Sequence, residues 1–213
     1  MKPSYSIQEF CFAEQYISLV LPNAIAIKNK YGESAKRGEY VAFPYWAKLW
    51  PSAIALTEFL AKNNSLIKDK VIFEIAAGLG LPSIFCTQYA KYVICSDYAE
   101  EALFFVNQSI SLNKIKNIET KQFDWNEDVL IEEVDMLLLS DINYNPGSFA
   151  ALYKLINKYL ANGVSVLIST PQRLMAKPFI EQLLPFCVEK TTIPIKTTNE
   201  VVEIFIMQLQ KQG

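Results

Sequence analysis

The sequence predicts an α/β protein built on a doubly wound, mostly parallel sheet of about seven strands, with a C-terminal antiparallel hairpin at its edge. Three observations predict it. From residue 71 onward, short continuous apolar runs alternate with helix-length segments, the pattern of parallel strands covered on both faces. A turn bearing Gly78 and Gly80 closes the first of these runs. After residue 187 the rhythm changes to two strand-like runs, 187–195 and 201–209, joined by the polar stretch 196–200.

Residues 1–43 read as a lead-in to a main unit over 44–213. The apolar pieces 17–21 and 24–27, split by Pro22-Asn23 and followed by the polar stretch 28–39, predict a short hairpin and then a loop. A helix is predicted from Pro51, because proline is tolerated at a first helical position and Ala53, Leu56, Phe59 and Leu60 recur at helical spacing. Strands are then expected over 71–75, 92–96, 118–122, 136–140 and 164–168, with helices over roughly 81–90, 99–112 and 148–160. In the last helix Phe149, Leu152, Ile156, Tyr159 and Leu160 share one face, and Ser148 is placed as its N-cap after the Asn145-Pro146-Gly147 turn. The result is five parallel strands plus a terminal hairpin.

With 213 residues, one compact domain and a short extension are expected. A hydrophobic share of 51% against 20% charged excludes disorder as the main state. The net charge of −2 supplies no basic field, so nucleic acid is not an expected partner. The absence of histidine removes Ser-His-Asp and Cys-His catalysis and most zinc sites. Cys11, Cys86, Cys95 and Cys187 are scattered without a CxxC pair, so neither a metal site nor a disulfide frame is expected. No apolar stretch approaches 18 residues and the N-terminus lacks a signal-like apolar core, so a cytoplasmic protein without membrane partners is expected.

The turn from Phe73 to Leu81 carries Glu74, Ala76, Gly78 and Gly80. Small residues there let a nucleotide-like cofactor approach backbone N–H groups at a helix N-terminus; the same residues also suit a tight turn that only packs helix on strand. Asp97, at the end of the next strand, is placed either to accept ribose hydroxyls or to cap the helix that follows. Charge separates two cofactors. A carboxylate at Glu74 repels a dinucleotide pyrophosphate but favours the ammonium and sulfonium of S-adenosyl-L-methionine. No Gly-Lys-Ser/Thr follows Gly80, so a phosphate-binding loop of the Walker type is absent. Asp124-Trp125 offers an acceptor for an adenine amino group and an aromatic face beside the ring, although Trp125 equally suits a loop anchor.

Three pieces carry a family resemblance: Pro44-Tyr45-Trp46-Ala47-Lys48-Leu49-Trp50-Pro51-Ser52-Ala53, the Glu-x-Ala-x-Gly-x-Gly turn, and Asp141-Ile142-Asn143-Tyr144. Over roughly residues 40–210 the chain resembles the seven-β-strand, Rossmann-like, S-adenosylmethionine-dependent methyltransferases. Within them it is similar to the protein-lysine methyltransferase branch that modifies chaperones and the electron-transfer flavoprotein β subunit. The resemblance implies that Trp50, Glu74, the Ala76 to Gly78 backbone, Asp97, Trp125 and Ser140 surround the cofactor. It further implies that Asp141 and Tyr144 face the transferred methyl. The family usually has glycine where this chain has Ala76, which tightens the backbone approach there. The acceptor is expected to be a protein lysine, or alternatively a small-molecule amine; a non-catalytic cofactor-binding module is the reading of a different class. Arg173, in the loop after the fifth strand, is read as a solvated surface side chain in preference to one that steers substrate or pairs with a carboxylate.

Overall fold

A computed structural model describes residues 5–39, 43–126 and 133–211. The chain opens with an antiparallel ribbon, β1 (Tyr5–Phe12) and β2 (Gln15–Pro22), followed by helix α1 (Ala24–Lys36). Here the expectation is corrected. The hairpin exists, but it turns at Ala13 and Glu14, which carry φ +46° and +65° as a two-residue turn between twisted strands demands. Pro22-Asn23 is not that turn: Asn23 accepts the Ala26 N–H at 3.0 Å and thereby starts a helix where a loop was expected.

Helix α2 (Pro51–Lys62) leads into β3 (Val71–Ile75), α3 (Leu81–Cys86), β4 (Tyr92–Asp97), α4 (Glu100–Leu112) and β5 (Ile118–Gln122). Then come β6 (Met136–Ser140), α5 (Phe149–Ala161), β7 (Ser165–Pro171), α6 (Lys177–Leu183), β8 (Cys187–Lys196) and β9 (Val201–Leu209). The main sheet has seven strands in the order β5-β4-β3-β6-β7-β9-β8. The first five run parallel, and the terminal pair is antiparallel, as the sequence predicts.

Alternation along the strands divides the core. Ile72, Val93 and Leu138 face α2 and α3, where Leu56, Leu60, Ile84 and Phe85 meet Ile17 and Leu19 of the ribbon. Phe73, Ile94, Leu137 and Leu139 face the opposite way, toward Leu152, Ile156 and Tyr159 of α5 and Phe179 of α6. Burial on both faces is why these strands read as unbroken apolar runs. The ribbon is tied to α4: Ser109 Oγ accepts the Val20 N–H at 2.9 Å, while Asn113 takes the Ser18 N–H and donates to the Ser18 carbonyl.

Smaller corrections concern caps and ends. Ser148 makes no side-chain cap; Asn145 accepts the Gly147 N–H at 3.1 Å and starts the short turn that leads into α5. The third helix ends at Cys86 instead of near residue 90, and α6 was not anticipated. Among the described residues no helix is long and apolar enough to cross a membrane.

Candidate active site

The carboxyl ends of the central strands open into a cleft of about 1230 Å³. Topology sets its place. Strand β3 has β4 on one side and β6 on the other: the chain steps outward from β3 through β4 to β5 and then crosses back to β6, and open parallel sheets bind ligands at such a reversal. Ala76 to Gly78 arrive after β3, Asp97 at the end of β4, Ser140 and Asp141 at the end of β6, and Arg173 after β7.

Asp97 organises the floor. Its Oδ2 accepts the Gly78 N–H at 2.8 Å and its Oδ1 accepts the Ala99 N–H at 2.9 Å, so one carboxylate braces the β3 turn and closes an Asx turn just before α4. Of the two roles expected for it, the structure bears on the one at the start of α4, where it holds the Ala99 N–H. Burial pushes its carboxyl above the usual range, opposed by the donors Ala99, Gly78 and Tyr98. Ala76 and Gly78 both line the cleft, and both adopt left-handed backbone, with φ +53° and +56°.

Glu74 is not part of the lining. It sits one residue along β3 from Phe73 and therefore points to the opposite sheet face, where it is fully buried beneath α3. Its Oε2 accepts from Ser83 N at 2.9 Å and Ser83 Oγ at 2.5 Å, while Oε1 has no partner. Burial pushes this carboxyl up to about 8 although the Ser83 bonds pull it down. The expected direct attraction of Glu74 for the cofactor's charges is therefore replaced by support of the turn from below. Gly80 also lies beneath: a Cβ there would meet Val106 Cγ2 at 3.1 Å and Cys95 Sγ at 3.2 Å, so it allows α4 to approach. Asp124 is likewise outside the lining, because its Oδ1 is taken by the backbone and side chain of Asn126.

Trp125 and Trp50 do line the cleft. The Trp125 Nε1–H is buried without a protein acceptor, whereas Trp50 Nε1 donates to the Tyr45 carbonyl at 2.8 Å with Lys48 Nζ 4.5 Å above its ring. Tyr45 stands 4.9 Å from Tyr144 and 4.6 Å from Phe43, which in turn meets Tyr31 of α1 at 5.1 Å. This row of rings walls the mouth, and α1 adds Ile27 and Lys30 to it. Burial, with Asp97, Tyr45 and Asp141 nearby, pushes the Tyr144 phenol up, so it stays neutral at physiological pH.

Asp141 is mostly buried, in left-handed backbone at φ +56°. Arg173 Nη1 donates to its Oδ1, forming an ion pair. This corrects the solvated reading of Arg173. Residues 141 and 173 follow adjacent strands paired through Ser140 and Ser169, so their loops share one end of the sheet. Adjacency of consecutive parallel strands was the available signal. Among the described residues no group of three His, Cys, Asp or Glu side chains is placed to hold a metal.

Fold and cleft together define a protein of methyltransferase architecture. The N-methyltransferase NodS from Bradyrhizobium japonicum superposes with a TM-score of 0.59 at 13% identity, covering 74% of this chain and 96% of that one. A tRNA (uracil-54, C5)-methyltransferase from Pyrococcus abyssi, in complex with S-adenosyl-L-homocysteine, gives a TM-score of 0.54 at 15% identity over 74% of this chain and 38% of that one. Residues 40–185 match the lysine methyltransferase family, and the chain belongs to it. A histidine protein methyltransferase 1 homologue of Dictyostelium discoideum is 35% identical over 129 residues, 57% of this chain and 42% of that protein. The protein-lysine N-methyltransferase EFM3 of Chaetomium thermophilum is 25% identical over 189 residues, 78% of this chain and 54% of that protein. The chain thus spans about half the length of these curated relatives.

Proposed function

We propose that this chain is an S-adenosyl-L-methionine-dependent N-methyltransferase whose acceptor is a protein lysine side chain. One observation carries the reading: Asp141 and Tyr144 line the same cleft as the Asp97-braced turn, so an amine-holding group and a nucleoside-sized floor face one space. The donor set fits an adenosyl cofactor. Trp125 offers a buried N–H that finds no acceptor among the described residues. When bound, the cofactor supplies an electrophilic methyl on a sulfonium. Residues 44–213 form the catalytic unit in this reading, with the ribbon packed into its core and α1 as its cover.

Methyl transfer needs a neutral amine aligned for in-line attack, and no covalent nucleophile. Asp141 accepts an N–H of that amine and so orients its lone pair. Tyr144 and Tyr45 wall the approach and exclude water. The Ala76 to Gly78 turn, Asp97 and Trp125 would hold the cofactor, Asp141 would aim the acceptor nitrogen at the methyl it supplies, and the proton released from the acceptor would pass to solvent.

Calorimetric titration with S-adenosylmethionine, S-adenosylhomocysteine and NAD tests the cofactor; binding of NAD alone would overturn it. Cell extract treated with enzyme and labelled cofactor tests the acceptor. Label in polypeptide is the expected result, whereas label confined to small solutes would reassign the acceptor to a small-molecule amine.

A further inference from the structure

Under the proposed reading Asp141 holds the acceptor nitrogen, yet its carboxylate is not free. Arg173 is bonded to Oδ1, and the side chains are 27% and 8% exposed, placing the guanidinium toward the mouth and the carboxylate inside. A guanidinium keeps its charge at every physiological pH. The other charged groups lining the cleft are of both signs: Asp97 is held by the Gly78 and Ala99 N–H groups, Glu100 and Glu101 stand in the first turn of α4, Lys30 and Lys48 bring positive charge, and the Tyr144 phenol is neutral. Tyr45 contributes only its ring, 4.9 Å from that of Tyr144.

The consequence concerns which form of the amine is held. A lone buried carboxylate attracts an ammonium, and an ammonium has no lone pair to attack with. A carboxylate already paired with a guanidinium keeps Oδ2 as an acceptor for an N–H but has lost most of its Coulomb preference for a cation. We infer that Arg173 is a positioning residue that cancels the charge of Asp141, so that the site takes a neutral amine in preference to an ammonium. This rests on the methyltransferase reading of the cleft and deepens it, because it assigns the protonation state in which the acceptor is bound.

The test needs no knowledge of the natural acceptor. Sinefungin is a cofactor analogue in which a carbon bearing an ammonium replaces the sulfonium and its methyl, so it carries a cation at the transfer position; S-adenosylhomocysteine carries none there. Affinities of both are measured by calorimetry on the full chain at neutral pH, for the wild type, Arg173→Gln, Arg173→Lys, Asp141→Asn and the Asp141→Asn/Arg173→Gln double variant. Asparagine suits the position because it tolerates left-handed backbone. Arg173→Gln is expected to raise the preference for sinefungin over S-adenosylhomocysteine about tenfold, and Arg173→Lys to leave it within about threefold of wild type. Asp141→Asn should lower the preference below wild type, since Arg173 is then uncompensated, and the double variant should return it to near the wild-type value. A preference unmoved by Arg173→Gln, or Arg173→Lys behaving like Arg173→Gln, would overturn the inference. Failure of the wild type to bind S-adenosylhomocysteine at all would instead overturn the reading of the cleft, so the two failures are distinguishable.

Discussion

Asp97 and Gly78 are joined across the floor of the cleft by a 2.8 Å hydrogen bond from the glycine N–H to Oδ2, while the same carboxylate holds the Ala99 N–H through Oδ1. One side chain therefore fixes the turn after β3 and the start of α4. Asp97→Ala leaves two partly buried N–H groups unpaired, and a loss of about 1–2 kcal/mol of stability is expected. Affinity for S-adenosylmethionine should fall at least about tenfold, since the turn no longer holds its shape. Thermal unfolding and calorimetric titration check the two effects; an unchanged affinity would remove Asp97 from the cofactor site.

Glu74 makes stability depend on pH in a direction unusual for a carboxylate. Its pKa rises from an ordinary 4.5 to about 8 in the folded chain, so between these values the native state binds a proton that the unfolded state lacks. Its contribution is fully present below about 4.5 and is lost as pH climbs toward 8. Glu74→Gln keeps an acceptor for Ser83 and has no charge to bury. Its stability relative to wild type should increase by more than about 1 kcal/mol between pH 5 and pH 8, as read from denaturant unfolding at each pH. Parallel curves for the two proteins would show that Glu74 ionises in the folded state as readily as in the unfolded one.

Ala76 holds φ +53°, where a Cβ costs about 1–2 kcal/mol, against roughly 0.4–1 kcal/mol of added unfolded-state entropy when glycine replaces alanine. Ala76→Gly is therefore expected to be neutral to stabilising by up to about 1 kcal/mol, with equal or tighter binding of the cofactor. A clear loss of melting temperature would mean that packing of the Ala76 methyl outweighs its backbone strain.

The two parts of the lead-in should respond differently. Leu19 of β2 is fully buried in the core beneath α2 and α3, so Leu19→Ala should cost about 2–5 kcal/mol. Tyr31 of α1 instead lines the cleft, and Tyr31→Ala should leave the melting temperature within a degree or two while weakening ligand binding. Melting curves and titrations on the two variants separate scaffold from cover.

The sequence marks strands buried on both faces, and it marks the more exposed 118–122 as well. The runs 71–75 and 136–140 were legible to the residue because they are continuous and end at chemistry-bearing turns. Asp97 and Asp141 were legible as strand-end carboxylates for the same reason. The N-terminal turn was not, because Ala13-Glu14 has none of the glycine or asparagine that usually marks positive φ, while the adjacent Pro22-Asn23 looks like a turn and is a helix start. The signal for Glu74 is the two-residue period of its own strand: with Phe73 and Ile75 on one face, Glu74 lies on the other. The Asp141–Arg173 pair joins positions 32 residues apart, and only the adjacency of β6 and β7 brings them together.

The order of the last three strands has a consequence for biosynthesis. Although β8 is made first, it reaches the sheet only through β9, which lies between it and β7. While residues 201–209 are still within the ribosome, β7 presents an edge of unpaired backbone N–H and C=O groups, and β8 has no strand to join. A nascent chain paused in that interval is the species most exposed to chaperones and to self-association, and release of β9 closes both vulnerabilities in a single docking event.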